Sequence, residues 1–137
     1  MCLIETVTQT VHPFLMFTGQ AEQAMNFYTS LLPNSRIVDI KRYTGGGAGA
    51  TGTVMKATFV IGEQTVICTD SPIKHNFTFT PAFSLFVSCE SEEQIQKLSE
   101  GLAAGGKVLM PLGHYGFSRK FAWVNDRYGV SWQLNLD

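Results

Sequence analysis

Phe14-Leu15-Met16-Phe17 is answered 69 positions later by Phe83-Ser84-Leu85-Phe86. After each tetrapeptide come a few polar residues, a stretch with helical spacing, and then Arg36-Ile37-Val38 or Lys107-Val108-Leu109. Ile67-Cys68-Thr69-Asp70 and Leu134-Asn135-Leu136-Asp137 close the two halves at an offset of 67. Each match alone is weak, but their shared order and nearly constant offset mark a repeated supersecondary unit.

Outward from those tetrapeptides, each half reads strand, helix, strand, strand, strand. Residues 12–17 are short, apolar and bounded by Thr18-Gly19, as a buried strand is. Ala21, Ala24, Met25, Tyr28, Leu31 and Leu32 fall on one helical face, and Pro33-Asn34 ends that helix. Strands are expected at 35–43, 53–61 and 64–70, with a tight turn at Gly62-Glu63. The second half predicts a strand at 82–88 and a helix opened by Ser91 and Gln94 at capping-box spacing. Ile95, Leu98 and Leu102 continue that helix to Gly105-Gly106, and strands follow at 107–112, 118–125 and 130–136. The fold class is α+β: two βαβββ modules, at about 11–70 and 82–136, joined by a linker at about 71–81 in a single domain.

Composition bounds the function. The chain has 137 residues, 45% hydrophobic and 15% charged, and a formal charge of −1. That supports one packed domain and offers no basic footprint for nucleic acid or acidic lipid. No apolar run is long enough to span a membrane. The start, MCLIETVTQT, lacks the n-region and h-region of a secretory signal. Cys2, Cys68 and Cys89 are odd in number and widely spaced, against a disulfide framework. A cytoplasmic, soluble protein is expected.

Strand parity supplies a candidate site. Trp132, Leu134 and Leu136 share one face of the last strand, expected under the helices, and Ser131, Gln133 and Asn135 share the other. On strand 64–70, Val66, Cys68 and Asp70 oppose Ile67. A face carrying Ser, Gln, Asn, Cys and Asp is too polar for a sealed core and suggests a cavity with convergent hydrogen-bonding groups. The expected lining is Pro13, Leu15, Val66, Cys68, Asp70, Ala82, Ser84, Trp123, Ser131, Gln133 and Asn135, with Gln133 as an orienting amide. Phe86 and Met55 are further candidates for an apolar wall.

Ala24-Met25-Asn26-Phe27-Tyr28 ahead of Leu31-Leu32-Pro33, and Val124-Asn125-Asp126-Arg127-Tyr128-Gly129-Val130 ahead of Trp132-Gln133, resemble the vicinal oxygen chelate superfamily. That superfamily contains glyoxalase I, extradiol dioxygenases and fosfomycin-resistance proteins. Pro13-Phe14-Leu15-Met16-Phe17 and Phe121-Ala122-Trp123-Val124-Asn125-Asp126 resemble its PhnB-like branch, often labelled a 3-demethylubiquinone-9 3-methyltransferase domain. The resemblance covers about residues 11–136. It implies a glyoxalase-like open barrel, a homodimer, and a small organic molecule bound in the cavity between the modules. It also implies where a metal cage would sit, at Pro13, Val66, Ala82 and Gln133. Pro, Val and Ala side chains cannot ligate, and a lone Gln oxygen is a weak ligand. No metal and no cofactor are therefore expected. His12 lies one residue from the ligand position and would face away without a register slip, and His75 and His114 fall in loops.

The remaining motifs carry less chemistry. Gly47-Ala48-Gly49-Ala50-Thr51-Gly52 matches G-x-G-x-x-G, but the residues after it favour a strand rather than a phosphate-binding helix. A flexible connection, or a flap over the pocket, accounts for it better. Cys68 reads as a small buried hydrophobe, and Asp70 as either a general base or a strand-end residue in water. Arg119-Lys120 reads as solvated charge or as an anion contact. The activity stays open. A metal-independent binding protein is favoured; the alternatives are a metal-dependent isomerase, lyase or dioxygenase, or a methyltransferase as the label suggests.

Overall fold

A computed structural model describes residues 9–46 and 49–137. The chain divides into two compact units, one ending at Lys74 and one spanning His75–Asp137. Each carries the βαβββ order, so the α+β class and the duplication are both present.

The first unit contains β1 (Phe14–Phe17), α1 (Ala21–Leu31), β2 (Ser35–Arg42), β3 (Val54–Ile61) and β4 (Gln64–Asp70). Its sheet runs β1-β4-β3-β2, with β1 parallel to β4 and the other pairs antiparallel. The helix follows from its spacing: Ala21, Ala24, Met25 and Tyr28 are all fully buried. The Tyr28 ring stacks on Phe59 of β3 with centroids 6.0 Å apart. Phe59 pairs with Val66, and Ala57 with Cys68, so these four residues share the helix-covered face. Leu15 pairs with Cys68 and Phe17 with Asp70, which extends that face to β1. Burial of such side chains contributes roughly 1.5–3 kcal/mol each.

The second unit contains β5 (Ser84–Ser88), α2 (Glu92–Ala103), β6 (Lys107–Gly113), β7 (Lys120–Asn125) and β8 (Ser131–Leu136). Its sheet runs β5-β8-β7-β6, again with one parallel pair, β5 with β8. Ile95, Leu98 and Leu102 of α2 are buried over Ala122, Val124, Trp132 and Leu134. The expected cap forms with its return bond one residue farther out: Ser91 Oγ accepts from Gln94 N at 3.0 Å, and Gln94 Oε1 accepts from the N–H of Glu90, just before the N-cap, at 2.7 Å. After α2 the chain turns through Gly105 at φ +77°. A Cβ on Gly106 would stand 2.1 Å from the Asn125 carbonyl oxygen, so this backbone approach to β7 requires glycine.

Gly47 and Ala48, part of the expected flap, lie outside the described residues. Gly52 leads into β3 at Val54, a strand, as the rejection of a phosphate loop requires. Among the described residues no helix is long and apolar enough to cross a membrane.

Candidate functional site

The helix-free face of the second sheet is a grid of three rows, read across β5, β8, β7 and β6. The first row is Ser84, Ser131, Asn125 and Lys107; the second is Phe86, Gln133, Trp123 and Met110; the third is Ser88, Asn135, Phe121 and Gly113. The polar groups of the first two rows form one cluster. Trp123 Nε1 donates to Ser131 Oγ at 2.8 Å, and Ser131 Oγ lies 2.7 Å from Ser84 Oγ. Gln133 Nε2 donates to Ser84 Oγ at 3.4 Å. Phe86 is 59% exposed beside this cluster, and Trp123, Gln133 and Met110 are half-buried. Tyr115 and Phe117 fold edge-on over Phe121, which shields the third row.

Parity therefore gathers Ser84, Trp123, Ser131, Gln133 and Asn135 on one helix-free face. It does the reverse in the first unit. Leu15, Val66, Cys68 and Asp70 lie on the helix-covered face and are buried. The expected parity is corrected there because the offset of 67 aligns Cys68 with Asn135, and an odd slip exchanges the two faces of a strand. Pro13 precedes β1 on the parity of Leu15, its carbonyl accepting from Ile67 N at 3.0 Å. His12 lies ahead of β1, at the parity of Phe14 and opposite to Leu15. Ala82 is exposed ahead of β5.

Asp70 is a structural anchor. Its Oδ1 accepts from Gly19 N at 2.8 Å and Ala21 N at 2.9 Å, capping α1, and its Oδ2 accepts from Val54 N at 2.9 Å. It is 3% exposed, so it is not a strand-end residue in water. Burial, and then the nearby Asp70 charge, push the Cys68 thiol up to about 12, which keeps it protonated and inert at neutral pH. Burial also raises Cys89. The loop cations are engaged: Arg119 donates to the Asp137 carbonyl at 3.0 Å, and Lys120 Nζ sits 3.6 Å from Glu92. Met55 is exposed at a bulge where the register shifts between Lys41 and Arg42.

Asn125 and Met110 complete the grid but were not legible from parity on a single strand. Asn125 shows itself only through its pairing with Ser131, and Met110 only across a bulge after Val108. The side-chain oxygen of Asn125 is buried without a hydrogen-bond partner among the described residues, as is His12 Nδ1.

A divalent ion of the kind the superfamily uses does not fit this donor set. The polar groups of the grid are hydroxyls, amides, an indole and the Lys107 ammonium, with no carboxylate or imidazole in any row. Among the described residues no three His, Cys, Asp or Glu side chains come together as a metal site. A methyl-donor cofactor held as in the common methyltransferase fold fits no better. The helix terminus following β1, where such a loop would bind an anion, is already filled by the Asp70 carboxylate.

The paired βαβββ units define a protein of the vicinal oxygen chelate fold, and comparison with known proteins agrees. A glyoxalase/bleomycin resistance/dioxygenase domain from Frankia superposes with TM-score 0.63 at 19% identity, over 96% of this chain and 98% of its own, a likeness of fold alone. A PhnB protein from Bacillus cereus is 57% identical with TM-score 0.91, over 94% of this chain and all of that one. Protein YjdN of Escherichia coli K12 is 21% identical, over 90% of this chain and 92% of its own length. Residues 9–135 match the family described as 3-demethylubiquinone-9 3-methyltransferase, and the chain belongs to that PhnB-like family. The description is a family label and assigns no reaction to this chain.

Proposed function

We propose that the chain binds a small, uncharged organic molecule against the helix-free face of its second sheet, without a resident metal. One observation carries the reading: Gln133 stands between Phe86 and Trp123 in a single cross-strand row, backed by the Ser84–Ser131 hydroxyl pair. Apolar walls around a few fixed hydrogen-bonding groups are the ordinary composition of a ligand site. The row holds no charge, so an ionic ligand would lose hydration there without a counter-ion. The resemblance further supports a homodimer, which sedimentation would reveal as twice the 15.1 kDa chain mass.

The test is a thermal-shift panel of neutral, anionic and cationic ring compounds, run with metal analysis of untagged protein. Neutral compounds should raise the melting temperature, by linkage to the native state, and Trp123→Ala should abolish the shift. A stoichiometric divalent ion, retained on purification and lost in His12→Ala, would overturn the metal-free reading. It would favour the metal-dependent alternative, for which His12 Nδ1, buried and without a hydrogen-bond partner among the described residues, is the available donor.

A further inference from the structure

The proton inventory around Gln133 narrows the ligand class. Ser131 is 1% exposed and its Oγ accepts the Trp123 indole N–H, so its own proton requires an acceptor. Ser84 Oγ, at 2.7 Å, is the acceptor in reach. Ser84 then receives both the Ser131 proton and the Gln133 Nε2 proton, which occupies its two lone pairs. Its own O–H is left to donate. Gln133 spends one N–H on Ser84; its other N–H and its Oε1 have no hydrogen-bond partner among the described residues.

We infer that Gln133 and Ser84 recognise the lactam edge of an uncharged ring, an N–H and a C=O side by side. This rests on the reading of this face as a binding surface and deepens it. The ligand N–H donates to Gln133 Oε1. The ligand C=O accepts from the free Gln133 N–H and from Ser84 O–H. Two strand spacings, roughly 10 Å, separate the Phe86 and Trp123 positions, which leaves room for one flat ring above Gln133. The nearest charged side chain of the grid, Lys107, lies in the neighbouring row on the edge strand, so selection rests on the hydrogen-bond pattern rather than on charge.

Titrating the ¹⁵N-labelled chain with three probes tests this. 2-Pyridone carries both groups, N-methyl-2-pyridone lacks the N–H, and anisole lacks both. 2-Pyridone should shift the Gln133 side-chain and Trp123 indole resonances and bind about tenfold tighter than N-methyl-2-pyridone, the cost of leaving Gln133 Oε1 unpaired. Gln133→Leu, checked for an unchanged melting temperature, should bring that ratio to about one. Equal affinity for all three probes, with the same resonances moving, would overturn the lactam inference and leave the binding face standing. If no probe moves those resonances at its solubility limit, both readings fall.

Discussion

The two units share a topology and dispose their polar side chains in opposite ways. In the first, the last strand turns Cys68 and Asp70 inward beneath α1, and Asp70 caps that helix across 49 positions of sequence. In the second, the last strand turns Trp132 and Leu134 inward, while Ser131 and Gln133 look away from α2. There the helix is capped by its own Ser91 and Gln94. Helix capping is thus met by a long-range carboxylate in one copy and a local cap in the other. The second copy's buried carboxylate, Asp126, sits instead at the β7–β8 turn, where it accepts from Trp132 Nε1 at 2.9 Å and from the backbone of Tyr128 and Val130. The helix start therefore makes no demand on β8, whose opposite face presents hydroxyls and an amide.

The sharpest break of this contrast is Asp70→Ala. It strands three backbone N–H groups, at least one of them fully buried, and should cost about 4 kcal/mol in urea unfolding. Asp70→Asn, which keeps an acceptor toward α1 but sets an amide N–H against Val54, should fall between it and the parent. An Asp70→Ala chain as stable as the parent would remove the anchor and reopen Asp70 as a site residue.

Cys68 gives the next effect, with a definite sign. Burial pushes its thiol from the ordinary value of 9.0 up to about 12, so the native state holds the proton longer than the unfolded chain. That contribution is complete below about pH 9 and is lost as pH rises toward 12, at no more than about 1.4 kcal/mol per pH unit. Cys68→Val should be flatter than the parent across that window. Tyr128, also raised by burial, keeps part of the alkaline loss in both chains. Equal slopes would mean that Cys68 is not sealed beneath α1.

Where a signal was local, the sequence carried it. Ser91 and Gln94 lie three residues apart, Pro33 follows its helix directly, and Gly62 sits in its turn. Each announces its role within one turn of backbone. The face of a strand is also local, but the choice of which face meets the helix is set by cross-strand partners. For β8 the pattern of Trp132, Leu134 and Leu136 against Ser131, Gln133 and Asn135 decides it alone. For β4 both faces carry apolar residues, Val66 on one and Ile67 on the other, so the strand has no internal arbiter. Only the pairing of Val66 with Phe59, and of Phe59 with Tyr28, settles the matter. The residues joining Ser131 and Gln133 in the grid were hidden for the same reason, since Asn125 and Met110 reach it through register and a bulge.

Ser91→Ala sharpens the comparison from the other side. It removes one local cap whose backbone donor lies near water, so it should cost about 1 kcal/mol, a fraction of the Asp70 loss. Gln133→Leu should cost least, within about 0.5 kcal/mol, because its bond to Ser84 is long at 3.4 Å and its remaining polar groups have no partner among the described residues. Losing that amide should nevertheless abolish the 2-pyridone preference. A residue whose removal leaves stability intact and erases recognition is placed for binding. If Gln133→Leu unfolds the chain as Asp70→Ala does, then both copies use their last strand as an anchor and the contrast between them disappears.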